Sequence, residues 1–160
     1  MSRKSLLAIV TIVVLSPLLL PLRVLVAPGW KITFTDEAGR PLAHIAVVET
    51  WQHYSLEDQS HEETRITDGG GTVIFSARVF HSSLLWRFMG CVRQVGRYLF
   101  HASCGPYAWL IVGYPKGYGQ NDVREFTQAE LQWSGGDPPQ VTKTVVVHKC
   151  KSGGTGLTCS

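Results

Sequence analysis

Past its first 27 residues this sequence has no excess of either charge. Of its 15 lysines and arginines, Arg3, Lys4 and Arg23 lie in that leading stretch, which leaves twelve basic against 12 acidic residues in the rest. A neutral domain lacks the electrostatic footprint that nucleic acid requires, so no nucleic-acid partner is expected. Nucleophilic hydrolysis has no support either, because Ser82 and Ser83 stand outside any Gly-x-Ser-x-Gly elbow. A phosphate cradle is missing as well: Gly69-Gly70-Gly71 runs into Thr72-Val73-Ile74-Phe75 rather than into a lysine and a helix. Cysteines are few, and Cys91, Cys104, Cys150 and Cys159 are spaced too widely for a structural zinc site.

The strongest compositional signal is at the start. Arg3 and Lys4 precede an uncharged run, Ser5–Leu22, made mostly of Leu, Ile and Val. At about 1.5 Å per residue a helix of that length nearly matches the hydrocarbon thickness of a bilayer. A cleaved export signal and an uncleaved anchor both fit. Leu25-Val26-Ala27 offers one small residue for cleavage and is followed by Pro28, which favours the anchor. Residues 1–27 are thus expected to be a signal-anchor or signal peptide, with Arg3 and Lys4 on the cytoplasmic side. The rest of the chain, 28–160, is expected on the extracytoplasmic side, anchored or, after cleavage, as a soluble exported domain. The even cysteine count agrees with an oxidising compartment, and sequence-local pairing predicts Cys91–Cys104 and Cys150–Cys159 disulfides.

Between Lys31 and Phe75 the pattern is that of short strands punctuated by turns. Ile32 and Phe34 alternate with Lys31, Thr33 and Thr35, and Asp36-Glu37-Ala38-Gly39 supplies turn residues ahead of Pro41. Ile45, Val47 and Trp51 share one face, with Glu49 as its single exception. Thr67-Asp68-Gly69-Gly70-Gly71 is a second turn, after which Val73-Ile74-Phe75 restarts a strand. Pro106–Gly113 and Val141–Lys149 read as further strands. The expected core is Ile32, Phe34, Ile45, Val47, Trp51, Ile74, Phe75, Leu110 and Val112. The expected fold is mainly β, a single antiparallel β-sandwich of about seven strands with one inserted amphipathic helix over about 83–98, preceded by the N-terminal hydrophobic helix.

The residues Asp36, Gly39, Pro41, Leu42, Ala43 and Val47, followed by Thr67-Asp68-Gly69-Gly70-Gly71 and Val73-Ile74-Phe75, resemble the carboxypeptidase regulatory-like, or transthyretin-like, β-sandwich family. The resemblance covers roughly a third of the chain. It implies a prealbumin-type sandwich, usually without catalytic activity. One branch of that fold resembles 5-hydroxyisourate hydrolase, which uses a histidine in its first strand, a mid-chain arginine and a C-terminal Tyr-Arg-Gly-Ser. Here Trp30–Asp36 contains no histidine, the C-terminus has no such tetrapeptide, and Arg65 alone stands near a matching position.

From Ser82 to Leu99 the periodicity changes to that of a helix, with Leu84, Leu85, Phe88, Met89, Val92, Val95 and Leu99 on one side and Arg87, Arg93 and Arg97 on the other. The simplest reading packs the apolar side on the sandwich and leaves the arginines in water. A membrane-surface helix is the alternative, kept open by Trp86 towards the polar side.

The densest set of potential ligands is His53, Glu57, Asp58, His61, Glu62 and Glu63, within a polar connection or edge hairpin. His53 and His61 share no helical spacing, and the ordinary reading is a solvated loop. His81, His101 and His148 stand singly. No catalytic, cofactor-binding or metal residue is assigned. The function expected is a non-enzymatic, membrane-anchored, envelope-facing module for interaction or structural support, with the membrane and an unidentified envelope protein as partners. The alternative is a small-ligand or metal-binding domain using the His53–Glu63 loop.

Overall fold

A computed structural model describes residues 3–5, 13, 16–113, 118–119, 137–138, 140–149, 151–153 and 156–158. The chain is mainly β. Its strands are β1 (Leu22–Ala27), β2 (Gly29–Thr35), β3 (Ala46–His53), β4 (His61–Ile66), β5 (Thr72–Phe75), β6 (Arg78–Ser82), β7 (Pro106–Gly113), β8 (Tyr118–Gly119), β9 (Gln140–Val146), β10 (His148–Lys149), β11 (Lys151–Gly153) and β12 (Gly156–Thr158). One long helix, α1 (Leu84–Tyr98), follows β6 and ends in a single 3-10 turn, Leu99–His101.

Two three-stranded sheets, ordered β5-β2-β9 and β4-β3-β7, turn their apolar faces to one core. Trp30, Ile32 and Phe34 supply it from β2, Ile45 and Val47 from β3 and its approach, Val73 and Phe75 from β5, Ala108 and Leu110 from β7. Strand alternation chooses among neighbours. The register places Val73 opposite Ile32 and Phe75 opposite Trp30, so Ile74, expected inside, points outward and is 47% exposed. Trp51 and Val112 are only partly buried at the core's margin.

The expectation of a purely antiparallel arrangement is corrected at one edge. β9 pairs with β2 in parallel, from Gly29 opposite Gln140 to Thr35 opposite Val146. Alternation along Val141–Val146 is the same for either direction, and the direction is set by where the preceding chain delivers the strand.

The polar stretch after Trp51 is an edge hairpin. β3 continues to His53, and β4 returns beside it with Thr50 opposite Glu62 and Val48 opposite Thr64. Both expected turns are present. Asp36 accepts the backbone N–H groups of Ala38 and Arg40, which hold its carboxyl below the usual carboxylate range, with Arg40's backbone contributing most. Asp68 likewise accepts from Gly70 and Thr72. Gly71 has φ 70°, and a Cβ there would lie 2.5 Å from the Phe34 carbonyl oxygen, so only glycine fits.

The boundary expected after residue 27 falls at the far end of a strand. Leu22–Ala27 is β1, antiparallel to β6, with Leu22 opposite Ser82 and Val24 opposite Phe80. Val24, Leu25, Val26 and Ala27 are all buried. A strand covered on both faces reads as an unbroken apolar run, and Val24–Ala27 is such a run, separated from the hydrophobic segment before it by Arg23 alone. Of the expected N-terminal helix, residues 3–5, 13 and 16–19 are helical and most of the remainder lies outside the described residues. Among the described residues no helix is long and apolar enough to cross a membrane.

Candidate functional site

Helix α1 starts where the sequence places it. Ser83 caps it, its hydroxyl accepting the Trp86 backbone N–H at 3.2 Å. Its seating is the reverse of the expected one. The side turned to the domain is the polar side: Gln94 is 6% exposed and its amide donates to the Tyr54 carbonyl at 2.7 Å. Cys91 and Cys104 form a disulfide that ties the middle of the helix to the approach of β7. Ser55, just past β3, donates from its hydroxyl to the Cys104 carbonyl at 2.6 Å. Arg93 donates to Asp58 at 2.7 Å, with Arg97 3.9 Å from the same carboxylate. The helix therefore caps the end of the sheet at which β3 ends and β7 begins.

The apolar side faces outward. Leu84, Leu85, Phe88, Met89, Val92, Val95 and Leu99 are all exposed, Phe88 at 65%, and Phe100 in the following turn is 100% exposed. Helical periodicity identifies two faces but not which one the domain takes. Here the choice is made by a close approach. A Cβ on Gly90 would fall 1.7 Å from the Ser55 carbonyl oxygen, so the helix backbone lies directly on that segment. Gly96 has nothing within 4 Å of such a Cβ. Gly90→Val should accordingly lower stability by about 2–3 kcal/mol through overpacking, and Gly96→Ala should raise it by about 0.5–1 kcal/mol through helix propensity. Urea titrations of the two variants give the contrast, and equal midpoints would refute this seating.

The start of the helix lies close to the end of the N-terminal run. Ser82, immediately before the helix cap, is the register partner of Leu22. Leu18, Leu19, Leu20 and Leu22 are exposed on the approach to that pair.

The candidate ligand loop is organised around Glu57. One carboxylate oxygen accepts the His53 backbone N–H at 2.8 Å, and the other meets His61 Nε2 at 2.5 Å. His61 stacks on Trp51. The His53 ring is buried, with Nδ1 lacking a hydrogen-bond partner, whereas His61 is exposed. Asp58 belongs to the helix contacts, Glu62 is exposed on β4, and Glu63 pairs with Arg65 and Arg78. Among the described residues, no three His, Cys, Asp or Glu side chains are grouped to hold a metal ion.

Burial, followed by the nearby Arg87 guanidinium, holds the His53 imidazole below its ordinary value of 6.5. The folded chain thus binds this proton less readily than the unfolded chain. The stability that neutral His53 contributes is present above about pH 6.5 and is lost as pH falls through the depressed folded value. Denaturant titrations between neutral and mildly acidic pH should show that loss, and His53→Gln should flatten it.

A second polar group is wholly buried. Glu49, the exception on the apolar face of β3, is 0% exposed. It accepts from Trp30 Nε1 at 2.8 Å and from Arg78 Nη2 at 2.9 Å. Arg78 also meets Glu63 and lies 4.3 Å over the Trp51 ring. Burial pushes the Glu49 carboxyl above its usual range in spite of Arg78 and Trp30. Glu49 was visible as an irregularity in the β3 pattern, whereas Arg78 carried no sequence signal linking it to that site.

Of the remaining candidates, His148 lies 3.0 Å from Glu37, His81 and His101 are exposed, and Arg65 spans Glu63 and the Ile74 carbonyl. Cys150 and Cys159 lie outside the described residues. Compared with known proteins, the chain matches no family model, no curated protein and no solved structure.

Proposed function

We propose that this chain is a non-enzymatic β-sandwich module of the transthyretin-like kind, held at a membrane by its N-terminal segment and facing the extracytoplasmic side, where it serves in interaction or structural support. The observation that carries the reading is the junction at Leu22. The apolar run ends at Leu22, which is also the first residue of β1, and β1 is part of the folded domain. Cleavage after Ala27 would remove that strand, so retention of the segment suits the fold better than processing at that bond. Two facing three-stranded sheets around one core support the sandwich, and the Asp36 and Asp68 turns support the family resemblance. The Cys91–Cys104 disulfide supports an oxidising compartment.

The densest polar clusters are occupied by the fold's own bonds: Glu49 by Trp30 and Arg78, Glu57 by His53 and His61. That use supports a non-catalytic role. Intact-mass measurement of the membrane fraction tests the reading. The expected species is the full chain, retained through a carbonate wash. A species beginning near residue 28 and released by osmotic shock would instead mean a soluble exported domain.

A further inference from the structure

We infer that the outward apolar face of α1 lies in the lipid interface of the membrane, so that the domain rests on the bilayer through this helix as well as being tethered to it. The inference rests on the anchoring proposed above and adds the surface by which the domain sits.

Three observations select a lipid surface over other occupants. The first is placement. Leu22, where the N-terminal run enters the fold, is paired with Ser82, and Ser83 caps the helix. A membrane-held residue 22 therefore brings the start of α1 to the membrane surface. Leu19 and Leu20, just before that pair, are exposed as well.

The second is charge. The helix carries no acidic residue, and Arg93 and Arg97 lie exposed on one flank above Asp58 of the loop, while Arg87 is half-buried against the domain near His53. Anionic headgroups complement such a flank.

The third is the arrangement of side chains. At about 100° per residue Trp86 shares the Arg93 flank, beside the aliphatic centre of the exposed face. Phe100, with no cover at all, extends the apolar surface past the helix end. Basic and indole groups at the rim with aliphatic and phenyl groups at the centre are what an interfacial helix presents, its apolar side sunk about 5–10 Å below the headgroups.

The test uses the full chain reconstituted in vesicles of phosphatidylcholine and phosphatidylglycerol with brominated acyl chains. Subtracting the emission of a Trp86→Phe variant isolates the Trp86 signal. Trp86 should be quenched by the brominated lipid. The double variant Phe88→Asp/Val92→Asp should lose that quenching while keeping the thermal midpoint of the parent, since both residues are exposed. Carbonate washing of the same vesicles reads the tether independently. Retention of the chain with no Trp86 quenching overturns the inference and leaves the anchoring intact. Release by carbonate overturns the anchoring, and Trp86 quenching of the vesicle-bound chain then decides the helix by itself. Absence of quenching together with a Phe88-dependent cross-linked dimer assigns the face to a second copy and overturns the lipid assignment.

Discussion

A chain beginning at Pro28 should fail to hold the fold that a chain beginning at Pro21 holds. The difference between them is β1, whose Val24, Leu25, Val26 and Ala27 are all buried. Burial of Val24, Leu25 and Val26 alone contributes about 4.5–9 kcal/mol, taking roughly 1.5–3 kcal/mol for each side chain. A domain of this size has a total stability of about 5–15 kcal/mol. Loss of β1 also strips β6, from Arg78 to Ser82, of its only ladder partner among the described strands. Circular dichroism during urea titration should therefore show a cooperative transition for the longer chain and none, or one at much lower urea, for the shorter. Matching midpoints would show that β1 is dispensable and would reopen processing after Ala27.

Glu49→Ala should cost about 3–5 kcal/mol, the usual consequence of removing one member of a buried charged pair. It leaves the Trp30 indole N–H without its 2.8 Å acceptor and Arg78 with Glu63 as its remaining carboxylate. Glu49→Gln should cost less, because an amide oxygen can still accept from Trp30. The two variants also separate charge from hydrogen bonding through their pH dependence. Glu49 has its carboxyl raised by burial, so the folded chain takes up this proton more readily than the unfolded chain does. This group's contribution to stability is fully present below the unfolded value of 4.5 and is lost as pH rises through the raised folded value. Glu49→Gln removes that dependence and leaves the opposing one of His53. Thermal melts of both variants across that range check the assignment, and a loss below about 1 kcal/mol for Glu49→Ala would show the site to be reached by water.

The sequence determined by itself the features that depend on local pattern. Alternation in Lys31–Thr35 and around Val47 marks strands because only one side of a pleated strand meets the core. The two Asp-to-Gly turns follow from side-chain acceptors and from the φ that Gly39 and Gly71 adopt. The helix follows from periodicity, and the Cys91–Cys104 bond is the one that proximity along the chain favours. Tertiary structure alone decided the rest. Val24–Ala27 is apolar throughout, and a membrane segment and a doubly covered strand share that signature. Ile74 points outward because the register with β2 claims Val73 and Phe75 for the core. β9 runs parallel because pairing direction depends on chain route and leaves no trace in alternation. Gly90 seats α1 by its polar side because a missing side chain permits contact with Ser55, and which face a helix offers its own domain depends on such long-range contacts.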